Sequence, residues 1–489
     1  MKDDISGFDG IKEISAKEIL GKIERGEPVE YNGVIIKGDP GLNNLLLEGD
    51  EKFLIKFPIK IINSYIDCIL NFSKANFKGS FNFQSTVFGR NVKFNECRFS
   101  EDFNFIGSQF NENSEFVSSQ FDGNISFNGS QFDGDVKFAE SIFLGNSDFT
   151  GSHFNGNSAF SGSEFRKDAN FKDCRFRKDA NFIRSQFREN ANFRDSWFEE
   201  HLNFRNTDFG GDVSFRESQL GKFAYFFESY FGGSANFFAS LFAGKSDFFG
   251  SQFKGNANFR DSQFIGDVSF KESQFSKDAN FRKATFGGDT NFEGCQFGQD
   301  ALFEKAKFEK IGGLYLTRSR FQKLYLRYQC IRGALSYNDE AYLSLVENYK
   351  KIGWLEDADE CYYCYRTKHQ IGDPIRRLFD LAARYSYGYG TKPERPLVIS
   401  ASIILISSFI FLHSTDYIVM MQTNKTMSFG DALFFSAITF TSGASQLINA
   451  SSANFSTEGY LVYVFTLERL LGWIFFVLFL ASIGRTIIR

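Results

Sequence analysis

The 489-residue sequence holds only 6 prolines, 4 methionines, 4 histidines and 7 cysteines. His153, His201, His369 and His413 stand apart from one another and from any Ser/Asp or phosphate-loop pattern. No catalytic constellation is left, so neither an enzyme nor a bound cofactor is expected. Cys68, Cys97, Cys174, Cys295, Cys330, Cys361 and Cys364 are thinly spread and odd in number. That favours reduced thiols in a cytosolic setting over a disulfide framework. Cys361-Tyr-Tyr-Cys364, with His369 nearby, is one CxxC without a second pair. It is read as structural, and no metal site is assigned. Charge of one sign is missing too: the net charge is −4, which points to neither nucleic acid nor an acidic tail. The start, Met1-Lys-Asp-Asp-Ile-Ser-Gly-Phe8, lacks an apolar h-region, so no cleaved signal peptide is expected.

What the chain has in excess is phenylalanine, 65 residues of it. From about Phe72 to Leu314 they recur every eleven residues in two series. One begins Phe77, Phe88, Phe99, Phe110; the other begins Phe83, Phe94, Phe105, Phe116. Two positions before each there is usually a small residue, as at Ala169/Phe171, Cys174/Phe176 and Ala180/Phe182. Positions i−2 and i share a face only in extended structure. Each five- or six-residue step therefore supplies one small and one large inward residue, then turns a corner at Gly, Asp or Asn. Stacked coils of this kind form a solenoid whose core is the phenylalanine ladder. The inward period argues for core packing over a base-stacking surface.

The alphabet Ala-Asn-Phe-x-x resembles the pentapeptide-repeat family. That resemblance implies a right-handed quadrilateral β-helix of about eleven coils, a rod of roughly 50 Å at ~4.8 Å per coil. Some members of the family mimic DNA and inhibit topoisomerases, which needs a continuous acidic surface. Here Arg166-Lys-Asp, Arg175-Phe-Arg-Lys-Asp179 and Arg188-Glu-Asn interleave both signs, which argues against mimicry and against a nucleic-acid partner.

Residues 1–71 read as an N-terminal cap, with a helix from Ser15 to Arg25 and short strands at Val34-Ile-Ile and Phe53–Phe57. After the repeats (72–318), an αα-hairpin connector is expected over 319–372, its first helix carrying Tyr342, Leu345, Val346 and Tyr349 on one stripe. Residues 373–396 form a basic amphipathic helix and a joint. Ile375, Leu378, Phe379, Ala382 and Tyr385 line its apolar stripe, so it is read as lying at the bilayer surface or docked on its own domain. Only then do long apolar runs appear. Leu397 to Met421 and Gly459 to Ile483 read as two spans within a 397–489 membrane domain. Lys392, Arg395, Arg485 and Arg489 flank their outer ends, and Lys425 is the base of the connector. The positive-inside rule then gives a two-span protein of the cell membrane with both termini and the β-helix cytoplasmic.

Between the spans, Ser428 to Leu447 is too short and too polar to cross. It reads as a re-entrant pore helix, capped by Ser428 with Asp431 in its first turn, followed by a loop. Span, pore helix and span, with Phe435-Ser-Ala-Ile-Thr-Phe-Thr441, resemble the two-transmembrane potassium-channel family. With the repeats, the chain looks like prokaryotic pentapeptide-repeat ion-channel proteins. The resemblance implies a homotetramer whose selectivity loop contains Thr439, Thr441, Ser442, Gly443, Ala444 and Ser445. Where the family filter reads Thr-Val-Gly-Tyr-Gly-Asp, this chain has Ser442-Gly-Ala-Ser-Gln-Leu447, so K⁺ and Na⁺ both stay open as the permeant monovalent cation. Glu468 and Arg469, charges inside the second span, are read as a pair supporting the pore or reaching the conduction path. Gly472 is read as a gating hinge or a close-packing point. A cytoplasmic protein partner on the β-helix, or a non-conducting membrane-anchored scaffold, completes the alternatives.

Overall fold

The structure, a computed structural model, describes residues 11–38, 54–369, 372–414, 418–420, 427–442, 455–457 and 460–487. The chain divides into two compact units, Met1–Ser344 with Lys351–Gly353, and Leu345–Lys350 with Trp354–Arg489.

The first unit is a parallel β-solenoid. One side runs as 14 strands, from Glu13–Ser15 to Lys307–Phe308, one strand per turn. Most strands are two residues long, with one side chain inward and one outward. Phe160, Phe182 and Phe204 stack face to face at 4.8 and 4.7 Å. Phe171 from the intervening half-turn meets Phe160 and Phe182 edge-on at 5.3 and 5.5 Å. Within the second eleven-residue series, residues 22 apart thus stack in columns and residues 11 apart interlock edge-to-face, which favours the ring quadrupoles.

Polar columns complete each turn. Ser185 Oγ donates to the Phe160 carbonyl at 2.6 Å, and its equivalents repeat along the core. Asn113 Oδ1 accepts from the Asp135 amide at 2.9 Å, and Asp135 Oδ1 from the Asn157 amide at 2.8 Å. These carboxamides and carboxylates bind amides where the strand ladder stops at a corner, satisfying groups that would otherwise be orphaned. The opposite corners need left-handed backbone: Asp173 has φ 56° and Gly162 φ 68°. At Gly145 a Cβ would lie 2.4 Å from the Gly123 carbonyl oxygen, so a corner that approaches its neighbour this closely admits only glycine.

The turns number about fourteen rather than the eleven counted from phenylalanine. Glu13–Ser15 pairs with Ile35–Lys37, which pairs with Tyr65–Asp67, which pairs with Val87–Phe88. These first turns use Ile14, Ile36 and Ile66 where later ones use Phe. The step from Ile36 to Ile66 also breaks the period, which hides them in the sequence. Helix α1 (Ala16–Glu24), with Ser15 accepting from the Lys17 amide, buries Ile19 and Ile23. At the other end lies helix α2 (Tyr328–Ile331), followed by backbone bonds that pair the Leu314 strand with Ala334 and Ser336. An exposed strand edge templates aggregation, and here both ends are partnered. Phe53, part of an expected strand, lies outside the described residues.

Helix α3 (Asp339–Lys351) buries Tyr342, Leu345 and Tyr349. In the second unit, α4 (Leu355–Lys368) and α5 (Pro374–Ser386) lead to a 3₁₀ turn at Gly388–Gly390. Asp380 of α5 accepts from Arg366 of α4 and from the Tyr389 hydroxyl, both at 2.8 Å. Burial, then the neighbouring Asp380, pushes the Tyr389 phenol up, so it stays protonated and a donor. Ile375, Leu378, Phe379 and Tyr385 stand exposed along α5. Then come α6 (Glu394–His413), α7 (Phe429–Thr441) and α8 (Leu461–Ile487). Glu394–His413 and Leu461–Gly484 are long and apolar enough to cross a membrane.

Candidate functional site

Helix α7 is local in origin. Ser428 Oγ accepts from the Asp431 amide at 3.2 Å and Asp431 Oδ2 accepts from the Ser428 amide at 3.1 Å, a reciprocal capping box. Thirteen residues rise only about 20 Å, short of a bilayer core of about 30 Å. The helix packs against both α6 and α8. Ala432, Phe435, Ser436, Thr439 and Phe440 are its buried stripe. Leu433 is only half-buried and Ile438 is exposed. Phe435 meets Phe411 of α6 edge-on at 5.1 Å and Phe465 of α8 at 6.0 Å.

Inside this apolar contact sits one polar knot. Glu468 is 2% exposed, and the Ser436 hydroxyl contacts both its Oε1 and, at 2.9 Å, the Ile404 carbonyl of α6. A single hydroxyl therefore joins all three helices. Arg469, the next residue, places Nε 3.3 Å from Ser442 Oγ at the C-terminal end of α7, with its guanidinium 5.2 Å over the Phe465 ring. A cation there complements the negative end of the helix dipole. Glu468 and Arg469 thus both attach to α7, one at its middle and one at its end.

Gly472 lies one turn further along α8, where a Cβ would fall 2.0 Å from the Phe440 carbonyl oxygen and 3.1 Å from Phe440 Cα. The glycine is where α8 touches the backbone of α7. Thr439 is buried, and its hydroxyl donates to the Phe435 carbonyl at 2.8 Å. Thr441 is exposed and donates to Ala437, while Ser442 donates to Thr439 at 2.9 Å. All three hydroxyls close on carbonyls of their own helix. Gly443, Ala444 and Ser445 lie outside the described residues.

With this geometry in place, the comparisons with known proteins concern the solenoid. Residues 116–164, 160–196, 171–219 and 270–320 match the pentapeptide repeats family, in nine copies. The chain carries pentapeptide repeats. No curated protein and no solved structure matches it. The pentapeptide-repeat matches stop at residue 320, so the three-helix site stands on its geometry alone.

Sequence reasoning singled out Glu468, Arg469 and Gly472 but missed Ser436 as their counterpart. The available signal was the pair of hydroxyls, Ser436 and Thr439, on an otherwise apolar helical stripe. Among the described residues, no group of three or more His, Cys, Asp or Glu side chains has the proximity to hold a metal ion. Cys361 is buried and Cys364 half-buried on α4.

Proposed function

We propose that this pentapeptide-repeat chain is one subunit of a homotetrameric cation channel in the cell membrane. Its solenoid and both termini lie in the cytoplasm, where the solenoid serves as spacer, docking surface or sensor. One observation carries the proposal: a helix too short to span is wedged between two membrane-length helices by the buried Ser436–Glu468–Ile404 knot. Short helices and irregular backbone persist at membrane depth only where they line water or are buried in protein. The core helix of a soluble protein is mostly buried, whereas the apolar windows of these two helices are 22% and 11% buried. Two spans enclose no pore alone, so several copies are required, and the ends of their α7 helices converge on one axis. The permeant ion is a monovalent cation, K⁺ or Na⁺.

A non-conducting membrane-anchored scaffold is favoured by a different observation. The Thr439, Thr441 and Ser442 hydroxyls are spent on helix carbonyls, and Arg469 sits where a cation pore benefits from negative potential. DNA mimicry finds no such support, because ion pairs such as Arg98–Asp122 and Arg175–Glu199 interleave both signs on the solenoid surface. Purified protein reconstituted in a planar bilayer separates the two readings. Unitary currents are expected, and reversal potentials in mixed K⁺ and Na⁺ then rank the ions. Silence under every cation and voltage tried would sink the channel and leave the scaffold.

A further inference from the structure

Beside the joint that leads into α6, the second unit holds a polar cavity of about 530 Å³. Its wall is basic: Lys368 and His369 from the end of α4, Arg377 and Arg384 from one face of α5. The acid in the wall, Asp380, is already engaged by Arg366 at 2.8 Å and by the Tyr389 hydroxyl. Its charge is therefore answered from behind, and the cavity keeps an excess of cations. Arg377 makes no ion pair among the described residues, unlike its neighbour Arg376, which faces Asp373 at 3.6 Å. The side-chain hydrogen bond to Tyr363 holds the Arg384 guanidinium even more firmly charged than usual. A volume in the range of ligand sites, lined by guanidinium forks and an ammonium, suits the oxygens of a phosphate group.

We infer that this cavity is a binding site for a phosphate-bearing anion. The site does not depend on conduction, but it is wired to the first membrane helix. Arg395, in the first turn of α6, donates to the Arg384 carbonyl at 2.5 Å and stacks its guanidinium 5.3 Å from the Tyr363 ring. Asp380 holds Tyr389, whose positive φ of 55° sets the turn between α5 and α6. An anion drawn between Arg377 and Arg384 pulls on residues that fix where α6 begins. The phosphate has two possible sources. A soluble phosphoester reaches the cavity from water. A phospholipid headgroup reaches it if the exposed apolar stripe of α5, Ile375, Leu378, Phe379 and Tyr385, sits in the bilayer surface.

The test uses full-length protein in neutral detergent, titrated with inorganic pyrophosphate in a calorimeter. Saturable binding near one per chain is expected, weakened about tenfold by Arg377→Gln (equivalent to roughly 1.4 kcal/mol) and unchanged by Arg376→Gln. Arg377 is exposed, so its loss leaves the fold intact; Lys368→Gln serves as the second variant. Phosphatidylglycerol bicelles that displace pyrophosphate where phosphatidylcholine bicelles do not assign the site to a headgroup. Pyrophosphate binding that resists both lipids assigns it to a soluble phosphoester. Absence of saturable binding to both pyrophosphate and phosphatidylglycerol, or binding indifferent to Arg377→Gln and Lys368→Gln, overturns the site. Because the readout is heat rather than current, a silent pore and an empty cavity are distinguishable failures.

Discussion

Each inward phenylalanine of the solenoid is held on several sides at once. Phe182 is fully buried, sandwiched between Phe160 and Phe204 and flanked edge-on by Phe171 and Phe193 at 5.5 and 5.6 Å. Truncation leaves a hole that parallel strands on a fixed spacing close poorly. Phe182→Ala is therefore expected to cost about 3–5 kcal/mol. Phe227 and Phe249 also stack, at 5.2 Å, but are only half-buried at a corner, so Phe227→Ala is expected to cost under about 1 kcal/mol. Thermal melts of the full chain in detergent, followed by circular dichroism, rank the two. The thiols answer to the same burial. Cys97 and Cys174 donate to carbonyls of the preceding turn, and burial pushes the Cys174 and Cys295 thiols far up. At pH 8 a native thiol label is expected to modify exposed Cys330 within minutes, leaving Cys97, Cys174 and Cys295 intact until the solenoid unfolds. Peptide mass spectrometry reads the sites; early labelling of Cys174 would contradict the assigned core.

At the scale of elements, the apolar packing of α6, α7 and α8 is pinned by one hydroxyl, one carboxyl group and one missing Cβ. Ser436→Ala removes only the hydroxyl and leaves the buried Glu468 and the Ile404 carbonyl without it, an expected loss of about 1–3 kcal/mol. Glu468→Ala costs more, and the double variant should fall short of the sum of the singles by about 0.5–3 kcal/mol, because each single change strands the other's partner. Additive losses would show that the two side chains do not meet. Gly472→Ala drives a Cβ into the Phe440 carbonyl, with an expected cost of about 1–3 kcal/mol and a displaced α7 end. A hinge glycine, by contrast, tolerates alanine in stability and changes only opening rates. The start of α7 was legible in sequence because it is written locally, in Ser428 and Asp431, three residues apart; its end was not, since Thr439 and Thr441, read as loop, belong to the helix. The Ser436–Glu468 contact was not, since 32 residues separate partners whose meeting depends on how three helices pack. Glu468 and Arg469 were expected to pair with each other inside the bundle; Glu468 instead reaches Ser436, and Arg469 reaches Ser442. Adjacent residues on a helix point about 100° apart, so two charges in sequence more readily find two partners than one another.

For the whole molecule, periodicity was both the best guide and the source of the miscount. Phe-to-Phe spacing revealed the solenoid because every coil from about 72 to 314 meets its neighbours by the same rule. The turns built on Ile14, Ile36 and Ile66 obey that rule in space without showing it in sequence. A structure of this kind is nearly one-dimensional: each turn contacts only the turns on either side, and stability is close to a sum over turns and interfaces. Removing residues 166–187 takes out one full 22-residue turn and brings the 144–165 turn onto the 188–209 turn. Phe165, which keeps Phe143 on one side, then finds Phe209 in the position Phe187 held. Corner amides find Asp or Asn acceptors as before, and the rod shortens by about 4.8 Å. Such a variant is expected to fold with a β-spectrum and melting temperature close to the parent. Removing 166–182 instead takes 17 residues, five short of a turn, so it breaks the 22-residue register that pairs each turn with the next and sets five-residue sides over six-residue ones; it should express as an aggregate. If the solenoid is a spacer, the 22-residue excision also leaves unitary conductance and open probability unchanged. A folded, tetrameric variant with altered open probability would make the arm a sensor, because shortening it by one turn changes its reach without touching α6, α7 or α8.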